Sequence, residues 1–331
     1  MKVGVLGAGG WGTALADLLA RGGHDVTLWC FEEEVARAIE LKRENEPYLK
    51  GISLSDRIKP TTNIKDACVG KDLIISVSPS HAVREVMSNA VQFIDKNTVI
   101  LSASKGIEND SLLTMSQVIR EVMGSKNPIA VLSGPSFALE VAKGYPTAVS
   151  LASEREDIAE GLQVIMSTKR FRIYVTDDVI GLELGGSLKN VIAIAAGISD
   201  GLGFGTNTRA ALITRGLAEI SRLAVRMGGN PLTLAGLGGM GDLVLTCTGD
   251  LSRNRQVGLQ LGQGRKISEI LSQMRMVAEG VKTAESAYAL SQKYEVEMPI
   301  TKAVYGILFK DKNPKDAVFE LMSRDLKKEI Y

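Results

Sequence analysis

The chain begins with a glycine-rich segment of a kind that holds phosphate groups. Gly7, Gly9 and Gly12 are spaced as GxGxxG, directly after the apolar run 3–6 and before a helix-forming stretch. Gly7 would permit a tight turn, Gly9 would let the backbone approach a pyrophosphate, and Gly12 would let the helix pack close to the strand. The N–H groups at the start of that helix would face the phosphates. An ordinary glycine turn is the alternative, but the flanking elements favour dinucleotide binding.

The residues after the second apolar run bear on which dinucleotide binds. That run, 26–29, is followed by Cys30, Phe31 and three glutamates that begin with Glu32. In dinucleotide-binding folds a residue at this point contacts the adenosine ribose. Glu32 is suited to that contact, but a carboxylate also favours the start of a helix, and the sequence leaves both open. No arginine stands here to bind a 2′-phosphate, so the cofactor is NAD or NADP, and the pattern favours NAD.

Lys189 is the candidate acid–base residue, in a stretch of residues 181–196 with the pattern of a helix. At helical spacing Lys189 shares a face with Gly185, Ala193 and Ala196. Small residues on this face would let a ligand or another element come close. Desolvation would then lower the pKa of the lysine towards the range useful for proton transfer. A lysine that extends from a packed face to solvent is the alternative.

Two further clusters carry groups suited to a polar substrate. Residues 236–242 are too glycine-rich to predict a stable helix, and they end in the carboxylate of Asp242. Ser252, Arg253 and Asn254 place a hydroxyl, a guanidinium and an amide next to one another. This combination suits a phosphate, because arginine offers two parallel N–H donors. Each cluster alone is equally consistent with a solvated loop.

Polar groups also follow two predicted strands. Lys105 comes after the run 98–102, and Gly134 and Ser136 come after the run 129–133. Doubly wound sheets bind their ligands at this edge, the carboxyl ends of the strands. These residues are therefore expected to face the same ligand as the two clusters.

The histidines give weaker signals. His24 lies in a Gly-Gly turn away from any strand end, so we expect it to be structural. His81 follows a strand and either lines the cofactor crevice or begins a helix. A histidine base is therefore not indicated.

The elements that must position these residues follow a βαβα rhythm in the first half of the chain. Most of the strand-like runs are nearly continuous in apolar residues, which is typical of strands covered on both faces. They are residues 3–6, 26–29, 73–77, 98–102, 129–133, 147–151 and 171–175, with helices predicted over 13–21, 82–93 and 111–123. This order predicts an α/β fold with a parallel, doubly wound sheet. Beyond it the period becomes helical, so we expect a dinucleotide-binding domain over residues 1–180 and an all-helical domain over residues 181–331.

The composition limits the classes of partner. The 39 basic and 38 acidic residues give a net charge of +1, which offers no excess positive charge for nucleic acid or an anionic membrane. The cysteines, Cys30, Cys68 and Cys247, are three in number and far apart, so we expect neither disulfides nor a metal site. The chain starts without a basic leader, and its longest apolar stretch, 191–198, is too short to span a bilayer. A cytoplasmic protein is therefore expected.

Taken together, the motifs closely resemble bacterial NAD(P)-dependent glycerol-3-phosphate dehydrogenase. The matching segments span the chain in the order of that family. They are residues 7–16 (GAGGWGTALA), 104–106 (SKG), 134–138 (GPSFA), 188–191 (LKNV), 201–207 (GLGFGTN), 236–243 (GLGGMGDL), 252–254 (SRN) and 279–280 (EG).

The resemblance implies a Rossmann domain followed by a helical domain like that of 6-phosphogluconate dehydrogenase. It implies that the enzyme interconverts dihydroxyacetone phosphate and sn-glycerol 3-phosphate for phospholipid synthesis, with Lys189 as proton donor and acceptor. Asp242 would orient either the lysine or a hydroxyl of the substrate. The implied substrate-binding residues are Lys105, Gly134, Ser136, Lys189, Asp242, Ser252, Arg253 and Asn254. The implied cofactor-binding residues are Gly7, Gly9, Gly10, Trp11, Gly12, Phe31, Lys105, Ala138, Arg253, Val277 and Glu279. A homodimer is implied by analogy only.

Two positions depart from the family pattern. Gly10 stands where the family often has serine, and Cys30-Phe31 stands where glycine followed by histidine or arginine is common. Two other functions remain as alternatives. One is a dehydrogenase of 3-hydroxy acids, for which Arg253 and its neighbours would be less well explained. The other is a non-catalytic dinucleotide sensor, which would not need Lys189 beside Asp242.

Overall fold

The computed structural model describes residues 1–124, 127–274, 276–326 and 328–329. Within these ranges the first half of the chain forms one eight-stranded sheet in the order β3-β2-β1-β4-β5-β6-β7-β8. The strands are β1 (Lys2–Leu6), β2 (Asp25–Trp29), β3 (Ile58–Thr61), β4 (Leu73–Ser76), β5 (Val99–Ser102), β6 (Ile129–Ser133), β7 (Thr147–Ala152) and β8 (Phe171–Thr176). Strand β3 was not predicted, because Lys59 and Pro60 interrupt its apolar pattern. It pairs only with β2 and lies at the sheet edge, where proline is tolerated.

The predicted parallel, doubly wound sheet is present, with one antiparallel strand pair, between β6 and β7. Strands β1 to β6 pair in parallel, but β7 runs antiparallel to β6, and β8 is then parallel to β7. The connection from β6 to β7 contains only the five-residue helix α5 (Ala138–Ala142). Such a helix rises about 7.5 Å, whereas a strand of six residues spans about 20 Å. The chain therefore enters β7 from the edge at which it left β6.

Helices cover both faces of the sheet, which makes it doubly wound. Val3 and Val5 of β1 pack on one face with residues of α1, α5 and α6, while Ile74 and Ile100 pack on the other face with α3 and α4. The helices besides α5 are α1 (Gly10–Arg21), α2 (Glu33–Lys42), α3 (Val83–Ala90), α4 (Met115–Met123) and α6 (Glu156–Met166).

Two of these helices are shorter than predicted. The predicted helix 82–93 is α3 alone, flanked by the 3-10 turns Ser80–Ala82 and Val91–Phe93. The predicted helix 111–123 begins only at Met115. Thr114 and Gln117 form a capping box there, which satisfies backbone N–H groups at the start of α4.

The second half of the described chain is helical. Its helices are α7 (Val179–Gly201), α8 (Thr206–Arg226), α9 (Pro231–Ala235), α10 (Asp242–Thr248), α11 (Arg253–Gly262), α12 (Ile267–Ser272), α13 (Glu279–Lys293), α14 (Pro299–Phe309) and α15 (Pro314–Met322). The glycine-rich segment expected not to be helical instead forms a π-helical turn, Leu237–Gly241, that leads into α10. Gly238 and Gly239 make this possible, because a Cβ atom on either would collide with Leu182 or Leu234.

Helix α7 is the core of the helical part and contacts α8, α10, α11, α13 and α14. Its 23 residues are long and apolar enough to cross a membrane, so the expectation that no apolar stretch reaches that length is wrong. The error arose because the helix continues on the N-terminal side of residues 191–198. However, 89% of the apolar 18-residue stretch within this helix is buried inside the protein. Among the described residues this single candidate is therefore a buried core helix.

Candidate active site

Asp242 joins two lysines that come from different parts of the fold. Its carboxylate is 1% exposed at the start of α10. Oδ1 accepts a hydrogen bond from Lys189 Nζ of α7 at 2.6 Å, and Oδ2 accepts one from Lys105 Nζ, beyond β5, at 2.6 Å. Lys189 Nζ also donates to Thr246 Oγ1 at 2.7 Å. Four side chains therefore hold one another in a single cluster, in which only Lys105 is partly exposed.

Lys189 is buried, as the small residues of its face led us to expect. The pKa of its ammonium group is lowered to about 8. Burial has the largest effect, Asp242 opposes it, and the positive charge of Lys105 adds to the lowering. A lysine with this pKa changes protonation state near neutral pH, whereas an exposed lysine does not.

The approach of α10 to Lys189 depends on Gly185, one turn before the lysine. A Cβ atom on Gly185 would lie 2.5 Å from the carbonyl oxygen of Gly238. The backbones of α7 and the π-helical turn therefore touch, and α10 continues from that turn with Asp242.

We expect Gly185→Ala to destabilise the protein by about 1–3 kcal/mol and to lower turnover, because the added methyl meets rigid backbone. Urea unfolding and kcat would measure the two effects. Gly161→Ala on α6 is the control, since a Cβ atom there has nothing within 4 Å. That variant should gain about 0.4–1 kcal/mol and keep its turnover. Equal stability of the two variants would contradict the proposed close contact.

The loops after β5 and β6 meet beside Asp242. Lys105 Nζ donates a second hydrogen bond to the carbonyl oxygen of Gly134 at 3.0 Å, and Ser136 Oγ donates to the same oxygen at 2.9 Å. Gly134 has a φ of +136°, which glycine adopts readily. The three residues predicted at these strand ends therefore lie together at the carboxyl edge of the sheet.

The cluster at the start of α11 is only partly available to a ligand. Ser252 Oγ caps the helix by accepting from Arg255 N, and Asn254 bonds to Asn190 Oδ1 and to the N–H of Gly280. Arg253 is accessible, and its Nη1 donates to the carbonyl oxygen of Val277 at 2.8 Å. It is accessible but closely surrounded, since desolvation lowers the pKa of its guanidinium while Glu279 opposes this.

Glu279 reaches from α13 to the sheet domain. Its Oε1 accepts from Ser80 N at 3.3 Å, and its Oε2 accepts from Ser80 Oγ at 2.5 Å. A Cβ atom on Gly106 would lie 3.4 Å from Glu279 Oε2. Glu279 therefore lies next to the loop that carries Lys105, and Val277, two residues before it, lies next to Arg253.

The glycine loop has the shape that a dinucleotide requires. Gly7 has a φ of +130°, a region that other residues rarely adopt. A Cβ atom on Gly12 would lie 1.9 Å from the carbonyl oxygen of Gly7, so α1 starts directly against the turn. Gly9 has nothing within 4 Å of its would-be Cβ position, which leaves space for a pyrophosphate. These residues fit a bound nicotinamide dinucleotide.

Two neighbours of this loop bear on the departures from the family pattern. A Cβ atom on Gly10 would lie 2.9 Å from the carbonyl oxygen of Tyr48 and 3.7 Å from Cβ of Ala138. Glycine therefore suits this backbone better than serine would. The structure also places Ala138 beside the loop, because it is the first residue of α5, which packs against α1, the helix that carries Trp11.

Of the two side chains that follow Cys30 after β2, one is exposed and the other is hydrogen-bonded. Phe31 is 82% exposed and meets Trp29 edge to face at 6.3 Å. Glu32 precedes α2, but its side chain accepts from the hydroxyl of Tyr48 at 2.5 Å and does not cap the helix. The ring of Phe31 remains available to a ligand.

The histidines lie outside the lysine–aspartate cluster. His24 contacts the amino terminus and the carbonyl oxygen of Ile165, which agrees with a structural role. His81 lies in the 3-10 turn before α3, where partial burial and Lys282 lower its pKa and Glu279 opposes them.

Within the described ranges the structure forms neither a metal site nor a disulfide. No group of three or more His, Cys, Asp or Glu residues is placed to hold a metal ion there. Cys30, Cys68 and Cys247 are all buried and free.

Comparison with known proteins agrees with this geometry. Residues 2–159 match the sequence model for the N-terminus of NAD-dependent glycerol-3-phosphate dehydrogenase, and residues 178–319 match the model for its C-terminus. The chain belongs to the NAD-dependent glycerol-3-phosphate dehydrogenase family. The resemblance inferred from the motifs is therefore confirmed.

Relatives in this glycerol-3-phosphate dehydrogenase family are similar over their whole length. Glycerol-3-phosphate dehydrogenase [NAD(P)+] of Citrifermentans bemidjiense is 57% identical over 99% of this chain and 98% of its own. The enzyme of the same name from Geobacter sulfurreducens is 55% identical over 100% of this chain and 99% of its own. The crystal structure of glycerol-3-phosphate dehydrogenase from Coxiella burnetii superposes with a TM-score of 0.94 at 44% identity, covering 98% of this chain and 99% of that one. The α/β and all-helical architecture is thus that of the family.

Sequence reasoning missed two residues, Thr246 and Ser80, that bond to the candidate site residues. Thr246 lies four residues after Asp242, so helical spacing already placed the two on one face of α10. Ser80 lies at the carboxyl end of β4, but its partner Glu279 is 199 residues away. The spacing of Asp242 and Thr246 was visible in the sequence, whereas the contact between Ser80 and Glu279 depends on the tertiary structure.

Proposed function

We propose that the protein interconverts dihydroxyacetone phosphate and sn-glycerol 3-phosphate with NAD(P)H. The observation that carries the proposal is the buried Lys189–Asp242–Lys105 cluster, which lies between the carboxyl edge of the dinucleotide-binding sheet and the start of α11. Membership of the glycerol-3-phosphate dehydrogenase family supports it.

Lys189 acts as the acid–base residue in this proposal. Bound NAD(P)H supplies the hydride that reduces the ketone carbon. Lys189 Nζ donates a proton to the oxygen of that carbon as negative charge develops, and in the reverse direction it accepts the proton from the hydroxyl. Asp242 and Thr246 hold Nζ in one position, so that the proton is presented in a fixed direction.

Arg253 is proposed to bind the substrate phosphate. Its guanidinium is accessible and held by the carbonyl oxygen of Val277, so its remaining N–H groups are already oriented. The first N–H groups of α11 lie beside it and favour an anion. The complete set of proposed substrate contacts is Lys105, Gly134, Ser136, Lys189, Asp242, Ser252, Arg253 and Asn254.

The dinucleotide would lie along the glycine loop and across to the helical domain. Open space above Gly9 and the exposed ring of Phe31 support this path. The complete set of proposed cofactor contacts is Gly7, Gly9, Gly10, Trp11, Gly12, Phe31, Lys105, Ala138, Arg253, Val277 and Glu279.

A spectrophotometric assay tests the proposed function. NADH oxidation would be followed with dihydroxyacetone phosphate, with 3-oxo acids and with neither. Rapid oxidation with dihydroxyacetone phosphate alone is the expected result. Turnover with 3-oxo acids instead would favour a hydroxy-acid dehydrogenase, and dinucleotide binding without any turnover would favour a sensor.

The pH dependence of kcat/KM should follow the protonation state of Lys189. Reduction of the ketone needs protonated Lys189, so kcat/KM for dihydroxyacetone phosphate should fall as the pH rises through about 8. Oxidation of glycerol 3-phosphate needs the neutral amine, so its kcat/KM should rise over the same range. Initial rates between pH 6 and 10 in both directions measure this, and parallel profiles for the two directions would contradict it.

NADH should be used at least as well as NADPH. Three consecutive glutamates, Glu32 to Glu34, follow β2 and would repel a 2′-phosphate. Values of kcat/KM for the two cofactors at one pH and ionic strength measure the preference. A strong preference for NADPH would show that this interpretation is wrong.

The setting of the reaction is also proposed. We infer a domain boundary at residue 180, a cytoplasmic location, a homodimer and a supply of glycerol 3-phosphate to phospholipid synthesis. The nearly equal numbers of acidic and basic residues support a protein that binds neither nucleic acid nor an anionic membrane.

A further inference from the structure

A buried carboxylate on α7 binds the first turn of α4, in the other half of the fold. Glu183 is 4% exposed, and its Oε1 accepts from Ser116 N at 2.8 Å. Its Oε2 accepts from Ser116 Oγ at 2.6 Å. Removing a carboxylate from water is costly unless hydrogen bonds replace the lost hydration, so this contact needs an explanation.

The side chains of α4 itself do not supply this contact. Thr114 and Gln117 already form a complete capping box at that helix start. That box bonds the N–H groups of Thr114 and Gln117 and leaves Ser116 N. Glu183 supplies this contact from another helix, and so ties the start of α4 to α7.

The same face of α7 touches the chain just after Lys105. Ser187, one turn beyond Glu183, donates through Oγ to the carbonyl oxygen of Gly106 at 3.1 Å. A Cβ atom on Gly186 would lie 3.8 Å from Cδ of Lys105, so the lysine side chain passes over this glycine. Helix α7 thus contacts both ends of the segment 105–116.

That segment is closed on itself between these two contacts. Ile107 and Thr114 form an antiparallel bridge, and Ile107 is buried in the core of the helical half. A segment held at both ends and bridged in the middle moves with α7 as one body. The ammonium group of Lys105 therefore keeps a set position relative to Lys189, which α7 itself carries.

We infer that Glu183 and Ser187 are positioning residues, which hold the Lys105 segment on α7 so that one carboxylate, Asp242, receives both lysines. This inference rests on the proposed function, because Lys189 must be the acid–base residue for the position to matter in turnover. Neither Glu183 nor Ser187 contacts the reacting atoms.

The pKa of Lys189 provides a measurable readout of the position of Lys105, because it depends on the charged groups around Lys189. These are Asp242 and Cys247 of α10, which raise its pKa, and Lys105, which lowers it together with burial. If the Lys105 segment moves away, the repulsion is lost and water enters. Both changes raise the pKa of Lys189.

The decisive comparison is Glu183→Ala with Glu219→Ala. Glu219 is a buried carboxylate of the same kind, which accepts from Ile300 N, Thr301 N and Thr301 Oγ1 at the start of α14, away from the lysines. Both variants should lose thermal stability. Only Glu183→Ala should lower kcat, by on the order of 10- to 100-fold, and move the alkaline limb of the reduction profile to higher pH.

Conservative variants keep the test valid if Glu183→Ala fails to fold. Glu183→Gln can accept from Ser116 N and donate to Ser116 Oγ, so it should restore most of kcat and the parent pH profile. Ser187→Ala removes a single hydrogen bond and should shift the profile in the same direction by a smaller amount.

Two outcomes would overturn the inference. One is a folded Glu183→Ala variant with the kcat and pH profile of the parent, and the other is an equal change in Glu219→Ala. Titration of ¹³Cε-labelled lysine by NMR distinguishes failure of the positioning inference from failure of the proposed function. If the parent does not reduce dihydroxyacetone phosphate, the proposed function fails, but the pKa of Lys189 must still rise in Glu183→Ala for the positioning role to stand.

Discussion

We expect Lys189→Ala to lower kcat for the reduction of dihydroxyacetone phosphate by on the order of 10²- to 10⁴-fold, the usual contribution of a positioned acid–base group. The ammonium group is buried between Asp242 and Thr246, and no other donor in the described cluster occupies that place. Steady-state rates at saturating NADH and substrate measure the loss. Asp242 keeps its bond to Lys105, so the variant is expected to fold.

Lys71→Ala provides the matched control for this variant. Lys71 also has a pKa lowered by burial, and its Nζ donates to Thr27 Oγ1 at 2.7 Å in the sheet domain. Its loss should leave kcat unchanged. The dissociation constant for NADH should change little in either variant, because the glycine loop is untouched. Near-normal turnover by Lys189→Ala would remove this lysine from the mechanism.

Arg253→Ala should cut kcat/KM for dihydroxyacetone phosphate by roughly 10- to 1000-fold. The loss of a charged hydrogen bond costs roughly 1.5–3 kcal/mol, and more where the partner charge stays buried, at about 1.4 kcal/mol per tenfold. Unphosphorylated dihydroxyacetone should be a very poor substrate for the parent, and the substitution should affect its use much less. Values of kcat/KM for both substrates at saturating cofactor measure the difference.

The position of Arg253 beside Val277 and Glu279 requires a separate measurement of NADH affinity. Arg265→Ala is the control, since it removes an arginine just beyond the opposite end of α11, where it contacts Gln260 and Gln273. That variant should retain kcat/KM. If Arg253→Ala lowered kcat/KM equally for the phosphorylated and the unphosphorylated substrate, this arginine would not bind the phosphate.

The sites that the sequence predicted well are those whose geometry is local. The turn at Gly7 and the close approach at Gly12 depend on residues within one strand–loop–helix unit, so spacing alone indicates them. The same holds for the alternation of strands and helices, since each apolar run must be covered on both faces wherever it lies. The helix face of small residues around Lys189 likewise indicated from spacing alone that the lysine is buried.

Some features were predicted only in part, because they depend on helix lengths, capping contacts and side-chain partners that the apolar pattern does not show. The antiparallel direction of β7 follows from the shortness of α5, and the start of α4 follows from a capping box that the apolar pattern conceals. The hydroxyl of Ser252 and the amide of Asn254 look equivalent to Arg253 in sequence, but helix capping and contact with Asn190 engage both of them.

The sequence by itself determined the family, the dinucleotide loop and the residue types available for proton transfer and phosphate binding. Only the tertiary structure decided which of them meet. Asp242 receives Lys189 from 53 residues away and Lys105 from 137 residues away, and the lowered pKa of Lys189 arises from that shared burial. The physical reason is that desolvation and charge coupling depend on distance in space, which the packing of α7 between the two halves of the protein sets.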